Sequence, residues 1–303
     1  MKLYRAENLL DLETVKKSTI AFLGFGSLGS LTASLLAYPW GRIILIDPEK
    51  LEADNVERHL LGYSQVGKPK VQGGREWLID RGVEAKRVLA IASDASKETD
   101  ALAQASILVV SIDDPESCYK INQLSVNQGI PAVYGGIYPM GTGGQTVILP
   151  RPEEECYLCS EKKMGALDYK GKLPTASYGV DPTTLVNSAG KVTAVPALKY
   201  SIGAVASDMA AAVMAILSGT AEPEILIHAQ TWEGIINVRQ GENLNRLAGF
   251  ITSLSDLGLT SNIRLTQNGG GYQLNIRKGK LGLRLNRWDV CPAHSSVVSI
   301  DQI

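Results

Sequence analysis

One stretch, residues 20–70, restricts the fold of this chain more than any other. An apolar run, Ile20-Ala21-Phe22-Leu23, ends in Gly24-Phe25-Gly26-Ser27-Leu28-Gly29, and a helix-forming segment over residues 30–37 follows directly. Strand, glycine turn, helix is the context that lifts G-x-G-x-x-G above chance. Gly24 permits the tight turn, Gly26 lets backbone approach a phosphate, and Gly29 lets the helix pack on the strand. The helix N-terminus then offers unpaired N–H groups and the positive end of its dipole to an anion. A second apolar run, Ile43-Ile44-Leu45-Ile46, ends at Asp47, whose carboxylate can accept hydrogen bonds from a ribose hydroxyl. To this point the sequence specifies a nucleotide-binding doubly wound domain and leaves both NAD and ATP open.

The residues after Asp47 separate the two. A dehydrogenase needs little beyond the ribose carboxylate, yet here Asn55, Arg58 and Gly67-Lys68-Pro69-Lys70 follow closely. Two cations and an amide can reach phosphates already seated by the glycine turn. That arrangement suits phosphoryl chemistry, in which catalysis is mostly positioning and charge stabilisation. The plainer reading is a solvated loop with ordinary surface charges. Its position outside the carboxyl end of a strand, beside a glycine turn, argues for the functional one.

These motifs together resemble the ThiF/MoeB-type superfamily, the adenylyltransferases of molybdopterin and thiamine biosynthesis and the related ubiquitin-activating enzymes. The family pattern is G-x-G-[GS]-L-G-S, an acid, N-x-x-R and G-x-x-K. Residues 24–30, Asp47, Asn55-Val56-Glu57-Arg58 and Gly67-Lys68-Pro69-Lys70 match it in order. The resemblance covers most of the chain and is weakest over residues 249–285. It implies an enzyme that binds ATP and Mg²⁺ and activates the C-terminal carboxylate of a ubiquitin-like protein as an acyl-adenylate, for conjugation or sulfur transfer. A conjugating enzyme or sulfur donor would then be a further partner. By the same resemblance Asp47 holds ribose, and Arg58, Lys70 and Asn55 orient the triphosphate. Arg5 reaches across a homodimer to the partner's ATP, and Asp113 is the magnesium-linked aspartate.

The residues around Asp113 carry a reading of their own. Ile107-Leu108-Val109-Val110 is nearly continuous and apolar, as in a strand buried on both faces, and it ends in Ser111-Ile112-Asp113-Asp114. Two carboxylates at the nucleotide edge of a sheet are costly unless a cation pairs with them, and Mg²⁺ shared with triphosphate oxygens is a natural partner. Asp113 is the first choice and Asp114 the second. Asp114 before Pro115 also reads as a helix N-cap.

Cys156-Tyr157-Leu158-Cys159 and Cys291-Pro292-Ala293-His294 are a C-x-x-C and a C-x-x-H. Three thiolates and one imidazole form a closed tetrahedral set for structural Zn²⁺. The resembling family commonly has two C-x-x-C pairs here, so His294 is a departure that keeps a normal zinc ligand. A redox C-x-x-C would begin a helix, whereas residues 150–155, rich in Pro and Glu, suggest an irregular loop before this one. Cys118, the fourth cysteine, reads as a buried structural thiol. No cysteine lies between Ser160 and Val290. The resemblance places a thioester cysteine in the loop that follows the first metal pair, so adenylation without a thioester at the usual site is expected.

The expected fold is α/β: a doubly wound Rossmann-like sheet, parallel in its first half and mixed from residue 146, with a zinc knuckle and a small antiparallel insertion. The expected division is an adenylation domain over residues 1–242, with an ATP-binding half near 18–150 and a crossover loop near 160–196. A β insertion over 243–290 and a tail over 291–303 that completes the zinc site follow. Residues 195–217 read as a long helix ending at Ser218-Gly219. Three alternating segments, 263–266, 272–277 and 282–285, read as half-buried strands, with a hairpin turn at Gly269-Gly270-Gly271. A net charge of −1 gives no reason to expect nucleic acid or membrane binding. Residues 1–17 have no apolar core of signal-peptide length, and residues 202–217 read as too polar and too short for a membrane span, so a cytoplasmic protein is expected. The alternatives are an NAD-dependent oxidoreductase and a catalytically inactive dimeric scaffold of the same fold.

Overall fold

The computed structural model describes residues 11–137, 143–164, 197, 199–229, 233–236, 265–268, 271–275, 279–287, 289 and 291–294. Arg5, most of the 160–196 crossover loop and the tail beyond His294 lie outside these residues.

The apolar runs read from the sequence become the strands of one sheet. β1 (Thr19–Leu23), β2 (Arg42–Ile46), β3 (Val88–Ile91), β4 (Ile107–Val110) and β5 (Ala132–Ile137) pair in parallel in the order β3-β2-β1-β4-β5. From β5 onward the sheet turns antiparallel, through β6 (Gly143–Leu149), β7 (Glu224–Ala229) and β11 (Gly279–Arg284). The sheet is therefore mixed, with the crossover where the sequence places it. Chain order reverses between β1 and β4, and ligands of open α/β sheets bind at that switch point, beyond the carboxyl ends of the strands.

Helices cover both faces. α1 (Leu12–Lys17), α2 (Ser27–Leu35), α3 (Lys70–Asp80) and α7 (Lys199–Leu217) lie on one side, around Phe22, Phe25, Trp40, Leu45, Val109 and Met209. α4 (Thr99–Leu102), α5 (Pro115–Gln128) and α6 (Tyr157–Lys163) lie on the other, around Leu23, Ile46, Val110, Tyr134, Leu149 and the cysteines. This explains why β1, β2 and β4 read as continuous apolar runs: both faces are buried.

α7 is long and apolar enough, by length and composition, to cross a membrane, which the sequence reading denied to residues 202–217. Its packing gives another reason for that composition. Ile202, Val205, Ala206, Met209 and Val213 are fully buried against α2, β5 and β6. Gly219, at φ +68°, follows its end in the left-handed conformation that glycine favours.

Two local readings differ from the structure. The segment over 282–285 does not stay with the insertion. β9 (Leu265–Asn268) and β10 (Gly271–Asn275) form the expected hairpin, but β8 (Glu233–Ile236) completes that small sheet. β11 instead extends the main sheet beside β7, where Leu283 and Leu285 join the core on the α5 side of the sheet. Alternation marks a half-buried strand without naming its partner. The C-x-x-C also does begin a helix: Cys156 is the residue before α6.

Candidate functional site

The β1–α2 turn is shaped by close backbone approach. Gly24 has φ +83°, and a Cβ there would lie 2.5 Å from the Ser111 carbonyl oxygen at the end of β4. A Cβ on Gly29 would strike the Gly24 carbonyl and the Ser111 hydroxyl, so this glycine lets α2 sit on the turn. Ser111 Oγ donates to the Gly24 carbonyl at 2.9 Å and ties β4 to the same turn. Gly26 differs: a Cβ there would meet nothing within 4 Å. The space it faces is a cavity of about 1020 Å³ at the switch point.

The cavity collects most of the residues singled out in the sequence. Gly24, Gly26, Asp47, Asn55, Arg58, Lys70, Asp113 and Asp114 all line it. Gly29 does not; its role is helix packing. Asp47 is buried at the end of β2, where Oδ2 accepts from the Phe25 amide at 2.6 Å and Oδ1 from the Glu49 amide at 2.8 Å. Burial pushes its carboxyl above the usual carboxylate range, against the opposing pull of Lys70 and of these two amides. Lys70 opens α3. Pairing of the 49–51 strip with 67–70 brings it beside Asp47, through Leu51 N to Lys68 O at 2.9 Å and Lys70 N to Glu49 O at 3.0 Å. Its ammonium, on a buried stem, pairs with the Glu49 carboxylate. Asn55 Oδ1 accepts the Glu52 amide at 3.4 Å in a capping box that shapes the loop before Arg58.

Asp113 and Asp114 are exposed at the mouth of the cavity. Asp114 caps α5, with Oδ2 accepting from the Ser117 amide at 2.8 Å and Pro115 at the first helical position. Both carboxylates fit a hard divalent cation that would share phosphate oxygens.

Sequence reading missed two residues of this site. Glu49 is the carboxylate that meets Lys70. His59, fully buried, places Nε2 2.8 Å from the Phe25 carbonyl and accepts the Leu61 amide on Nδ1 at 3.0 Å. Desolvation drives its pKa down to about 4, with the cations Lys70, Lys199 and Arg58 acting in the same direction. The only available signal was a rare histidine directly after Arg58.

On the opposite face of the sheet Cys156, Cys159, Cys291 and His294 bring four donor atoms within 4.8 Å of one another. Cys156 Sγ lies 3.9 Å from Cys159 Sγ and 3.6 Å from Cys291 Sγ, and Cys159 Sγ lies 3.9 Å from His294 Nδ1. A tetrahedral zinc with Zn–S bonds of about 2.3 Å sets its sulfurs roughly 3.8 Å apart, so the geometry fits. His294 Nε2 faces the Pro152 carbonyl at 2.9 Å, which fixes the tautomer that leaves Nδ1 as a ligand. Cys159 and Cys291 beside it hold the Cys156 thiol far above its ordinary range, a crowding that a divalent cation would reverse. Both knuckles are tied to α5: Asn122 Oδ1 accepts the Tyr157 amide at 2.9 Å, and Gln123 Nε2 donates to the Ala293 carbonyl at 3.3 Å. Cys118, also on α5, is buried with its thiol 3.4 Å from the Ile112 carbonyl.

Comparison with known proteins gives a consistent picture. The sequence pattern of the ThiF family matches residues 3–244. The tRNA threonylcarbamoyladenosine dehydratase of Bacillus subtilis is 35% identical over 127 residues, covering 40% of this chain and 50% of that protein. The sulfur carrier protein adenylyltransferase of Thermus thermophilus is 26% identical over 206 residues, covering 63% of this chain and 72% of that protein. This chain spans about half or less of the length of most curated relatives it matches. Among solved structures, E. coli MccB with MccA-N7isoASN superposes with a TM-score of 0.63 at 19% identity, over 97% of this chain and 71% of that one, a likeness of fold.

Proposed function

We propose, from the premise that this chain belongs to the ThiF family, that it is an ATP-dependent adenylyltransferase acting on the C-terminal carboxylate of a ubiquitin-like protein. The observation that carries this reading is the meeting of Arg58, Lys70, Asp113 and Asp114 with the glycine turn and Asp47 in one cavity. A nicotinamide site has no use for two cations and two further carboxylates at the phosphate end. Curated relatives that include adenylyltransferases support the same reading.

In this reading the turn at Gly24 and Gly26 seats the phosphates and Asp47 lies at the ribose. Arg58, Lys70 and Asn55 orient the triphosphate. Asp113 and Asp114 would hold Mg²⁺, which supplies charge neutralisation on the polyphosphate. A substrate carboxylate oxygen forms a bond to the α-phosphorus, the bond from that phosphorus to the bridging oxygen breaks, and pyrophosphate leaves. The nucleophile is already ionised, so no proton needs a base, and alignment with charge stabilisation supplies the acceleration. The protein would be a cytoplasmic homodimer in which Arg5 completes the partner's site. The acyl-adenylate would pass to a conjugating enzyme or a sulfur donor. Cys156, Cys159, Cys291 and His294 would hold a structural Zn²⁺.

The test is MgATP binding followed by ATP–pyrophosphate exchange with candidate ubiquitin-like proteins. Binding of NAD in place of ATP selects the oxidoreductase alternative. ATP binding with no exchange on any candidate selects the inactive scaffold. A nucleotide-bound crystal with Arg58 and Lys70 turned to bulk solvent removes the proposal.

A further inference from the structure

Phe25, between the first two glycines of the turn, is held at both of its backbone groups. Its amide is taken by Asp47 Oδ2 at 2.6 Å, and its carbonyl meets His59 Nε2 at 2.8 Å. The other ring nitrogen of His59, Nδ1, accepts the Leu61 amide at 3.0 Å. An amide on one nitrogen and a carbonyl on the other allow one arrangement, the neutral ring with its proton on Nε2. Around this ring the chain that bears Arg58 is fastened to its surroundings. Leu60 N donates to Ser30 Oγ on α2 at 3.3 Å, and Lys199 Nζ at the start of α7 donates to the His59 carbonyl at 2.8 Å. The ring also meets Phe25 edge-on, with centroids 6.1 Å apart at 65°.

We infer that His59 is a positioning residue, a neutral clamp that fixes the Arg58 loop against the glycine turn at the Phe25 carbonyl. Two consequences follow from its place. A trans peptide points its N–H away from its C=O, so pinning the Phe25 carbonyl also fixes the direction of the Gly26 N–H, one of the groups at the start of α2. Arg58, the residue just before His59, has its backbone set by the same clamp. The neutrality of the ring suits the position. Lys70, Lys199 and Arg58 all lie near enough to disfavour a charge on it, and a ring that donates and accepts without charge joins the two segments without adding a further cation. His59 is buried and acts through the groups it holds, which separates it from the residues that would touch nucleotide.

This inference rests on the reading that the cavity binds ATP. The experiment is calorimetric titration of MgATP into the full chain as wild type, Arg58→Ala, His59→Leu, His59→Gln and the Arg58→Ala/His59→Leu double variant. His59→Leu should weaken MgATP by about tenfold or more, since small misplacements of a charge clamp carry large penalties. His59→Gln, whose amide offers both a donor and an acceptor, should recover most of that loss. The double variant should lose less than the product of the two single losses, because part of what His59 does is placed through Arg58. Wild-type affinity in folded His59→Leu, or strictly multiplicative losses, overturns the inference. ¹⁵N imidazole spectra of the wild type give a check that needs no variant: a charged ring, or a proton on Nδ1 at pH 7, also overturns it. If the wild type does not bind MgATP, it is the nucleotide reading that fails, and the spectra still decide the clamp.

Discussion

The Phe25 amide donates to Asp47 Oδ2 at 2.6 Å, so the residue that ends β2 grips the turn that ends β1. A carboxylate does this better than its amide. Both oxygens accept from backbone N–H groups, and the second goes to Glu49 at 2.8 Å. Asn at this position keeps the volume but must face one of those donors with its own NH₂. Asp47→Asn should therefore cost on the order of 1–3 kcal/mol in urea unfolding, the price of one buried donor left unmet. It should also weaken MgATP, because the turn loses the contact that sets its shape.

Lys70 gives the opposite balance of stability and function. Its side chain is 7% exposed, but the Glu49 carboxylate it meets is 67% exposed. An ion pair open to water contributes roughly 0–1 kcal/mol, and the buried Asp47 carboxylate, which also loses the pull of Lys70, keeps the Phe25 and Glu49 amides as donors. Lys70→Met should shift the unfolding midpoint little while lowering pyrophosphate exchange by on the order of a hundredfold, as removal of a charge stabiliser does. A large stability loss with unchanged exchange would reassign Lys70 to the fold.

Which parts of this were legible in the sequence follows from distance along the chain. The glycine turn and its helix are local, and Gly24, Gly26 and Gly29 could be assigned separate duties from spacing alone. Arg58 and Lys70 were legible as phosphate-side cations because both follow the acid at the end of β2. The cysteine pairs were legible as one cluster only because metal chemistry demands four donors. Local alternation showed β11 to be a strand but carried no information about its neighbour, and it joined the main sheet. The run before Cys156 reads as loop, and nothing in it reveals that Cys156 itself precedes a helix. His59 was invisible because its partner, Phe25, lies 34 residues upstream, and proximity to Arg58 gives no hint of the Phe25 carbonyl.

The Cys₃His cluster should carry about one zinc per chain by elemental analysis of protein purified without chelator. Apparent zinc binding energies of about 10–16 kcal/mol at such sites match or exceed the net stability of most domains, roughly 5–15 kcal/mol. Cys159→Ser or exhaustive chelation should therefore lower the melting temperature strongly. His294→Cys should keep the metal, since thiolate and imidazole both serve a tetrahedral site. Because Asn122 and Gln123 tie both knuckles to α5, metal loss should also slow exchange by disturbing the helix that Asp114 caps.

Cys118 should remain unmodified under conditions that trap acyl-enzyme thioesters. The thiolate is the reactive form, and burial raises this thiol well above its ordinary range, with Glu161, Asp114 and Asp113 adding to the effect. Intact-mass spectra after reaction with ATP and a ubiquitin-like protein should show no thioester on Cys118, and iodoacetamide should label it only after unfolding. A substrate-sized adduct on Cys118 would show instead that α5 opens during turnover.

Acid stability offers the most direct reading of His59. The ring is buried and neutral in the folded chain, with its pKa lowered from 6.5 to about 4. Between those values the unfolded chain binds a proton that the folded chain does not, so stability falls as pH drops. The loss begins as pH falls through about 6.5 and is complete once pH passes below about 4. At 1.36 kcal/mol per pH unit it amounts to on the order of 3 kcal/mol. Protonation has no place to go without harm, because a second ring N–H would face the Leu61 amide on Nδ1. Urea unfolding from pH 7 to pH 4 should show this slope in the wild type and a shallower one in His59→Gln, which has nothing to titrate. Carboxylates titrate in the lower part of the same window, so the difference between the two proteins, not the slope of either, isolates the histidine. Parallel curves for the two would mean that His59 takes up its proton as readily in the folded chain as in the unfolded one, which a ring that accepts the Leu61 amide cannot do.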